Sequence, residues 1–275
     1  MRRTTRSLLP VVCAAVAAAL TACASSGYQP ADDEDPDSFQ AVKDIHGGPY
    51  TDMVLVYLKA GPKIAQQTRE QSERVFAGHM ANMKRLADAG QLLVAGPFER
   101  GHTRDTTRRG IFLLDTPNIQ LARLQTGTDP GVQAGLFEPE YRQVKASIEL
   151  RRTLELEKGL LAGARADKET PRDTATPPPN ARAYVMATAD DALAADAALR
   201  RAGLGDRIVW CARFSGKGPK GYGRGGVFVL DAQKVEDVQA ALDKTGGAPG
   251  TGLDQWWSTP SLTGLSGSAR VMPGR

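Results

Sequence analysis

Gly110-Ile111-Phe112-Leu113-Leu114-Asp115 returns later in the chain as Gly226-Val227-Phe228-Val229-Leu230-Asp231. Each copy is a glycine, a short apolar run and an aspartate, the pattern of a strand buried on both faces and stopped by a polar turn. Phe98 and Phe214 precede their glycines at the same spacing. On the other side, Thr126-Gly127-Thr128-Asp129-Pro130-Gly131 reappears as Thr245-Gly246-Gly247-Ala248-Pro249-Gly250, after a three-residue shift. Anchors that keep one register over such a span imply a duplicated unit. Two copies are too few for a stacked solenoid and suit two halves of an internal pseudo-dimer instead.

The intervening residues supply the rest of each unit. Met53 to Leu58 is a continuous apolar strand. The stretch from about Gln66 to Ala89 is helical, with Val75, Phe76, His79, Met80, Met83 and Leu86 on its apolar stripe and Gly90 ending it. Leu92–Phe98 and Gly110–Leu114 form a strand pair, followed by a short helix near Ile119–Leu124. A turn at Asp129-Pro130-Gly131 then leads to a last strand near Leu136–Val144. The second half runs strand 184–187, helix 192–202, strands 208–214 and 226–230, helix 235–242, and a strand carrying Trp256 and Trp257. The order β-α-β-β-α-β predicts an α+β fold of two ferredoxin-like units, 49–147 and 183–262. Their sheets are expected to pack face to face as an internal pseudo-dimer of the dimeric α/β-barrel type. Residues 148–182 read as an extra helix and a proline-rich linker around Pro177-Pro178-Pro179, and residues 263–275 as a disordered tail.

The chain begins differently. Arg2, Arg3 and Arg6 precede an apolar run from Leu8 to Leu20, too short and alanine-rich for a spanning helix, so residues 1–22 read as an export signal. Leu20-Thr21-Ala22-Cys23 resembles the lipobox of bacterial lipoproteins. That resemblance implies cleavage before Cys23, acylation of its thiol, and an envelope protein held by lipid on the extracytoplasmic side. Ala24 follows, without the aspartate that commonly retains lipoproteins at an inner membrane, so a two-membrane cell implies the outer membrane, facing the periplasm. Residues 23–48, with Asp32, Asp33, Glu34, Asp35 and Asp37, read as a flexible acidic tether.

Composition narrows the chemistry. Three signal arginines contribute to the net charge of +4, and no aromatic-basic stripe accompanies the scattered cations, so nucleic acid is not an expected partner. Of the three cysteines, Cys13 lies in the signal and Cys23 carries lipid, which leaves Cys211 with no disulfide partner inside the chain. The histidines are far apart and no ligand cluster is evident, so neither a metal nor another cofactor is expected. Gly216 to Gly225 is glycine- and lysine-rich but lacks the Gly-Lys-Ser/Thr ending and lies between two strands, so it reads as a long hairpin. His102, with Arg100 and Arg104, sits on the polar loop between the paired strands of the first half. It is read as a solvated loop, the alternative being contact with an anionic substrate.

The first copy resembles the YCII-related family over roughly residues 50–147. The resemblance rests on His79 in the first helix, Ala89-Gly90 closing it, Gly96-Pro97 ending the next strand, Gly110 opening the third, and Asp129-Pro130. It implies a His79–Asp129 dyad acting as an acid/base pair on a small molecule, with lyase or isomerase chemistry like that of related dehydrohalogenases and isomerases. The residues alone leave another reading open: a core histidine, and an aspartate holding a turn before Pro130. The positions matching the dyad in the second half are Ala195 and Ala248, so that copy is expected to have no chemistry of its own. The rival functional class is a non-catalytic envelope protein that binds a small ligand or a protein partner.

Overall fold

The computed structural model describes residues 50–163, 181–218, 221–265 and 267–273. The export signal, Cys23, the acidic tether and the proline-rich linker lie outside them. The first half contains β1 (Tyr50–Ala60), α1 (Arg69–Asp88), β2 (Leu92–Pro97), β3 (Arg108–Leu114), α2 (Ile119–Thr126), α3 (Pro130–Gln133) and β4 (Phe137–Ser147). After α4 (Thr153–Gly163), the second half contains β5 (Arg182–Ala189), α5 (Ala192–Arg201) and β6 (Ile208–Phe214). A two-stranded hairpin follows, β7 (Lys217–Gly218) and β8 (Gly221–Tyr222), then β9 (Gly226–Leu230), α6 (Val235–Asp243) and β10 (Thr251–Ser258).

One antiparallel sheet of eight strands runs β10-β5-β9-β6-β4-β1-β3-β2. Each half therefore repeats the same strand order, its last strand beside its first, then its third, then its second. The repeated glycines hold equivalent places: Gly110 faces Leu58 across β1–β3, and Gly226 faces Ala189 across β5–β9. The halves meet edge to edge rather than as two stacked sheets. β4 pairs with β6 through Val144–Phe214, Lys145–Arg213 and Ala146–Ala212. At the far ends Phe98 bridges Trp256, the Trp256 indole donates to the Gly96 carbonyl at 3.0 Å, and the Ser258 hydroxyl to the Ala95 carbonyl at 2.6 Å. The sheet is thus curled and nearly closed. Face-to-face contact arises within this single curled sheet.

Gly96 belongs to that closure. A Cβ on it would overlap the Trp257 carbonyl, so only glycine lets β10 approach.

Strand alternation then separates three apolar clusters. The inward set mixes both halves, among them Leu55, Tyr57, Ile111 and Leu113 with Tyr184, Met186, Trp210 and Trp256. Outside, Val54, Val56, Phe112 and Leu114 lie under α1 and α2, joined by Leu86 and Ala122. Val185, Ala187, Phe228 and Leu230 do the same beneath α5 and α6.

Several expectations change. Met80 is 44% exposed, because it is one residue, about 100° of helical turn, from His79 on the inward stripe. The turn after Asp129 is instead the four-residue α3. The expected disordered tail, 263–275, is structured at 263–265 and 267–272: two 3₁₀ turns, Pro260–Gly264 and Gly267–Arg270, carry Leu262, Leu265 and Ala269 into the inner cluster, and Met272 is buried against the second-half cluster. These apolar side chains cap the barrel interior, which outweighs the low helix propensity of the glycine- and serine-rich segment. No helix among the described residues is long and apolar enough to cross a membrane.

Candidate active site

Helix α1 starts from a capping box, in which the Thr68 hydroxyl accepts from the Gln71 amide while the Gln71 side chain accepts from the Thr68 amide. Its third turn carries His79 onto the outer face of the sheet. The imidazole lies 5.8 Å from the Phe112 ring and 16° from parallel to it, with Phe137 at 5.0 Å and Phe76 at 5.9 Å. His79 is only 6% exposed and Asp129 is fully buried.

Asp129 caps α3. The Gly131 amide donates to its Oδ1 at 2.7 Å, and Oδ2 lies 2.7 Å from His79 Nδ1. A carboxylate using both oxygens as acceptors takes its second hydrogen bond from Nδ1–H, which fixes the neutral ring with Nε2 as the free lone pair. Among the described residues the ring makes no other hydrogen bond. Gly131 is required here: a Cβ would come within 2.5 Å of the Phe137 ring and 3.0 Å of Asp129 Oδ1.

The segment before Asp129 is tied to α1 by side chains that the sequence did not single out. Asn82 Oδ1 accepts from Arg85 Nη2 at 2.8 Å and from the Thr128 hydroxyl at 3.0 Å, and Arg85 Nη2 also donates to Thr128 Oγ1 at 2.8 Å. Earlier in the same segment, Thr126 Oγ1 and the Tyr141 hydroxyl on β4 are 2.7 Å apart. Two strapped points thus hold the carboxylate opposite the imidazole. The only available signal was Asn82 three residues after His79 on the same helix, and one buried polar residue at that spacing is not distinctive.

The other candidates separate. His102 lies 3.6 Å from Glu236, and its loop extends the sheet, the Glu99 amide donating to Gln255 O and the Gln255 amide to His102 O. Arg104 turns to Asp254, and Arg100 lines a cavity described below. That cavity is not lined by His79 or Asp129. Cys211 is buried, with its thiol 3.7 Å from the Ala269 carbonyl. In the second half, Ala195 is buried in the apolar cluster with Phe228, and Ala248 packs against that cluster. Among the described residues no group of three His, Cys, Asp or Glu side chains could hold a metal ion.

No family model and no curated protein matches the chain. Among solved structures, a 5-chloro-2-hydroxyhydroquinone dehydrochlorinase from Burkholderia phenoliruptrix AC1100, in complex with 2,5-dihydroxybenzoquinone, is 20% identical. It covers 32% of this chain and 89% of its own, at a TM-score of 0.25. A chlorite dismutase from Candidatus Nitrospira defluvii is 12% identical over 78% of this chain and 94% of its own, at a TM-score of 0.44. A heme-binding protein from Thermus thermophilus is 12% identical over 76% and 91%, at a TM-score of 0.41. The α+β description of this chain rests on its own strand order and register.

Proposed function

We propose that the chain is a lipid-anchored envelope protein of the dimeric α/β-barrel type whose first, YCII-like half uses His79 and Asp129 as an acid/base pair on a small molecule. The observation that carries this is the 2.7 Å contact between His79 Nδ1 and Asp129 Oδ2, made while Oδ1 is occupied by the Gly131 amide. Asp129 then orients the ring and stabilises the imidazolium that forms when Nε2 accepts a proton, so Nε2 is the atom that would serve as base or acid. The second half, with alanines at both equivalent positions, supplies the other wall of the barrel. The reaction class that suits one such pair is proton abstraction followed by elimination or isomerisation.

A structural clasp is the second reading, and one observation favours it. Three aromatic rings enclose the imidazole, and Asp129 already has the work of capping α3. Halide release from chlorinated hydroquinones and isomerisation of related unsaturated ring-derived acids, with wild type and His79→Ala, separate the two. Loss of turnover with an unchanged melting temperature supports the base. A lower melting temperature, with no wild-type turnover on any member of the panel, supports the clasp.

The chain's own residues do not fit a haem at this position. The His79 ring is enclosed by Phe76, Phe112 and Phe137 and only 6% exposed, which leaves no room for a macrocycle over Nε2, and the second half contains no histidine.

Anchoring rests on Leu20-Thr21-Ala22-Cys23 after the arginine-led apolar run. Cys23→Ser should release the protein from the membrane fraction or leave uncleaved precursor. Unchanged fractionation would end the lipoprotein reading.

A further inference from the structure

A cavity of about 410 Å³ opens between the turn after β1 and the loop joining β2 to β3. One wall is Ile64 and Ala65, and the opposite side presents Arg100, Arg108 and Arg109 with Thr103 and Thr106. The three arginines differ in how their charge is met. Arg108 is compensated: its Nη1 lies 3.2 Å from the buried Asp254 carboxylate and its guanidinium 4.2 Å above the Tyr57 ring. Arg109 Nη1 donates only to the backbone carbonyls of Thr106, at 2.7 Å, and Arg108, at 3.1 Å. Its Nε, like that of Arg108, is buried with no hydrogen-bond partner among the described residues, so the two differ in the carboxylate that meets Arg108 and not Arg109. Burial first, and then the positive charge of Arg100, disfavours the Arg109 cation. Among the described residues neither Arg100 nor Arg109 has a carboxylate within ion-pair distance.

Asp105 offsets only part of the repulsion between two like charges held on one cavity wall, so they are unfavourable in the empty site, and an anion between them reverses the sign. The rest of the wall selects the kind of anion. A planar guanidinium fork pairs with a carboxylate through two parallel hydrogen bonds, whereas Ile64 and Ala65 offer only apolar contact. The volume falls in the range of small-molecule pockets.

We propose that this cavity is a binding site for a small organic carboxylate, its carboxylate held by Arg100 and Arg109 and its apolar body against Ile64 and Ala65. The site shares no residue with the His79–Asp129 pair, so the two stand or fall separately. It also lies on the loop that closes the barrel onto β10, which places a bound carboxylate beside the seam between the two halves.

The test titrates the full chain with benzoate, with its neutral counterpart benzyl alcohol, and with inorganic phosphate. Calorimetry gives affinity, and the arginine Nε–Hε NMR signals give location. Arg100→Ala and Ala65→Glu are made at exposed positions, the second placing a carboxylate beside the guanidiniums. Expected are benzoate-dependent shifts of the Arg100 and Arg109 signals, at least a roughly tenfold weaker affinity for benzyl alcohol and phosphate, and a similar loss of benzoate affinity in both variants at unchanged melting temperature. Equal binding of benzoate and benzyl alcohol would overturn the role of the arginines. Tighter phosphate than benzoate would overturn the apolar subsite. Benzoate affinity unaffected by both variants, or no benzoate binding, would overturn the site itself.

Discussion

Asp254 is the residue whose loss should most disturb the barrel seam. It stands on β10 in the second half, fully buried, and both of its oxygens are used by the first half. Oδ1 accepts from the Arg104 amide at 2.8 Å, and Oδ2 lies 3.2 Å from Arg108 Nη1. Asp254→Ala removes both and leaves the Arg108 guanidinium, with 16% of its side chain exposed, over the Tyr57 ring. Breaking a buried pair by removing one partner generally costs about 3–5 kcal/mol. Here Asp105 remains 3.8 Å from Arg108 Nε and some solvent reaches the guanidinium, so the expected loss is about 2–3 kcal/mol. For a folded region of this size that lowers Tm by about 5–10 °C. Scanning calorimetry of wild type, Asp254→Ala, Arg108→Met and the double variant gives the coupling directly. The double variant should lose less stability than the sum of the two single losses. A single-variant loss below about 1 kcal/mol, or coupling near zero, would refute the claim that this pair ties the halves together.

Two further substitutions probe α3 and α4. Gly131→Ala should cost about 1–3 kcal/mol, because the new methyl group presses on Phe137 and on the Asp129 carboxylate, and chemical denaturation would read it. An unchanged stability would mean that α3 does not need its glycine. Glu157, on α4, has its carboxyl pushed above the usual 4.5 by burial. The folded state therefore holds that proton more tightly than the unfolded state, and stability falls as pH rises through the window above 4.5. Glu157→Gln should raise Tm at neutral pH, with the gain vanishing below that window; a gain of the same size at both pH values would assign it to packing instead of ionisation.

Much of the fold was legible because the decisive features are local. The Gly-apolar-Asp runs at 110–115 and 226–231 are buried strands in both halves, and apolar spacing placed α1, α5 and α6 within a few residues. What escaped depends on contacts between distant segments. The β4–β6 pairing involves three residue pairs whose register no local pattern encodes. Helix α3 is too short for a period, and Pro130-Gly131 also describes a turn. Leu262, Leu265, Ala269 and Met272 are spaced too irregularly to announce a packed segment, and become buried only because a barrel end stands open to receive them. At the candidate site, His79 and Asp129 were legible as individual residues, whereas the Asn82–Arg85–Thr128 strap that holds them opposite each other exists only once α1 meets the turn.

The most direct test of the acid/base proposal is the protonation pattern of the His79 ring, read by ¹⁵N NMR in wild type and Asp129→Asn. The neutral wild-type ring is expected to carry its proton on Nδ1, hydrogen-bonded to Asp129, with Nε2 an unprotonated acceptor. Asp129→Asn, which replaces that acceptor with an amide able to donate, should shift the ring toward the Nε2–H tautomer. A wild-type neutral ring protonated on Nε2 would leave its lone pair on Nδ1, facing Asp129, with none on Nε2 to take a substrate proton, and would contradict the acid/base reading.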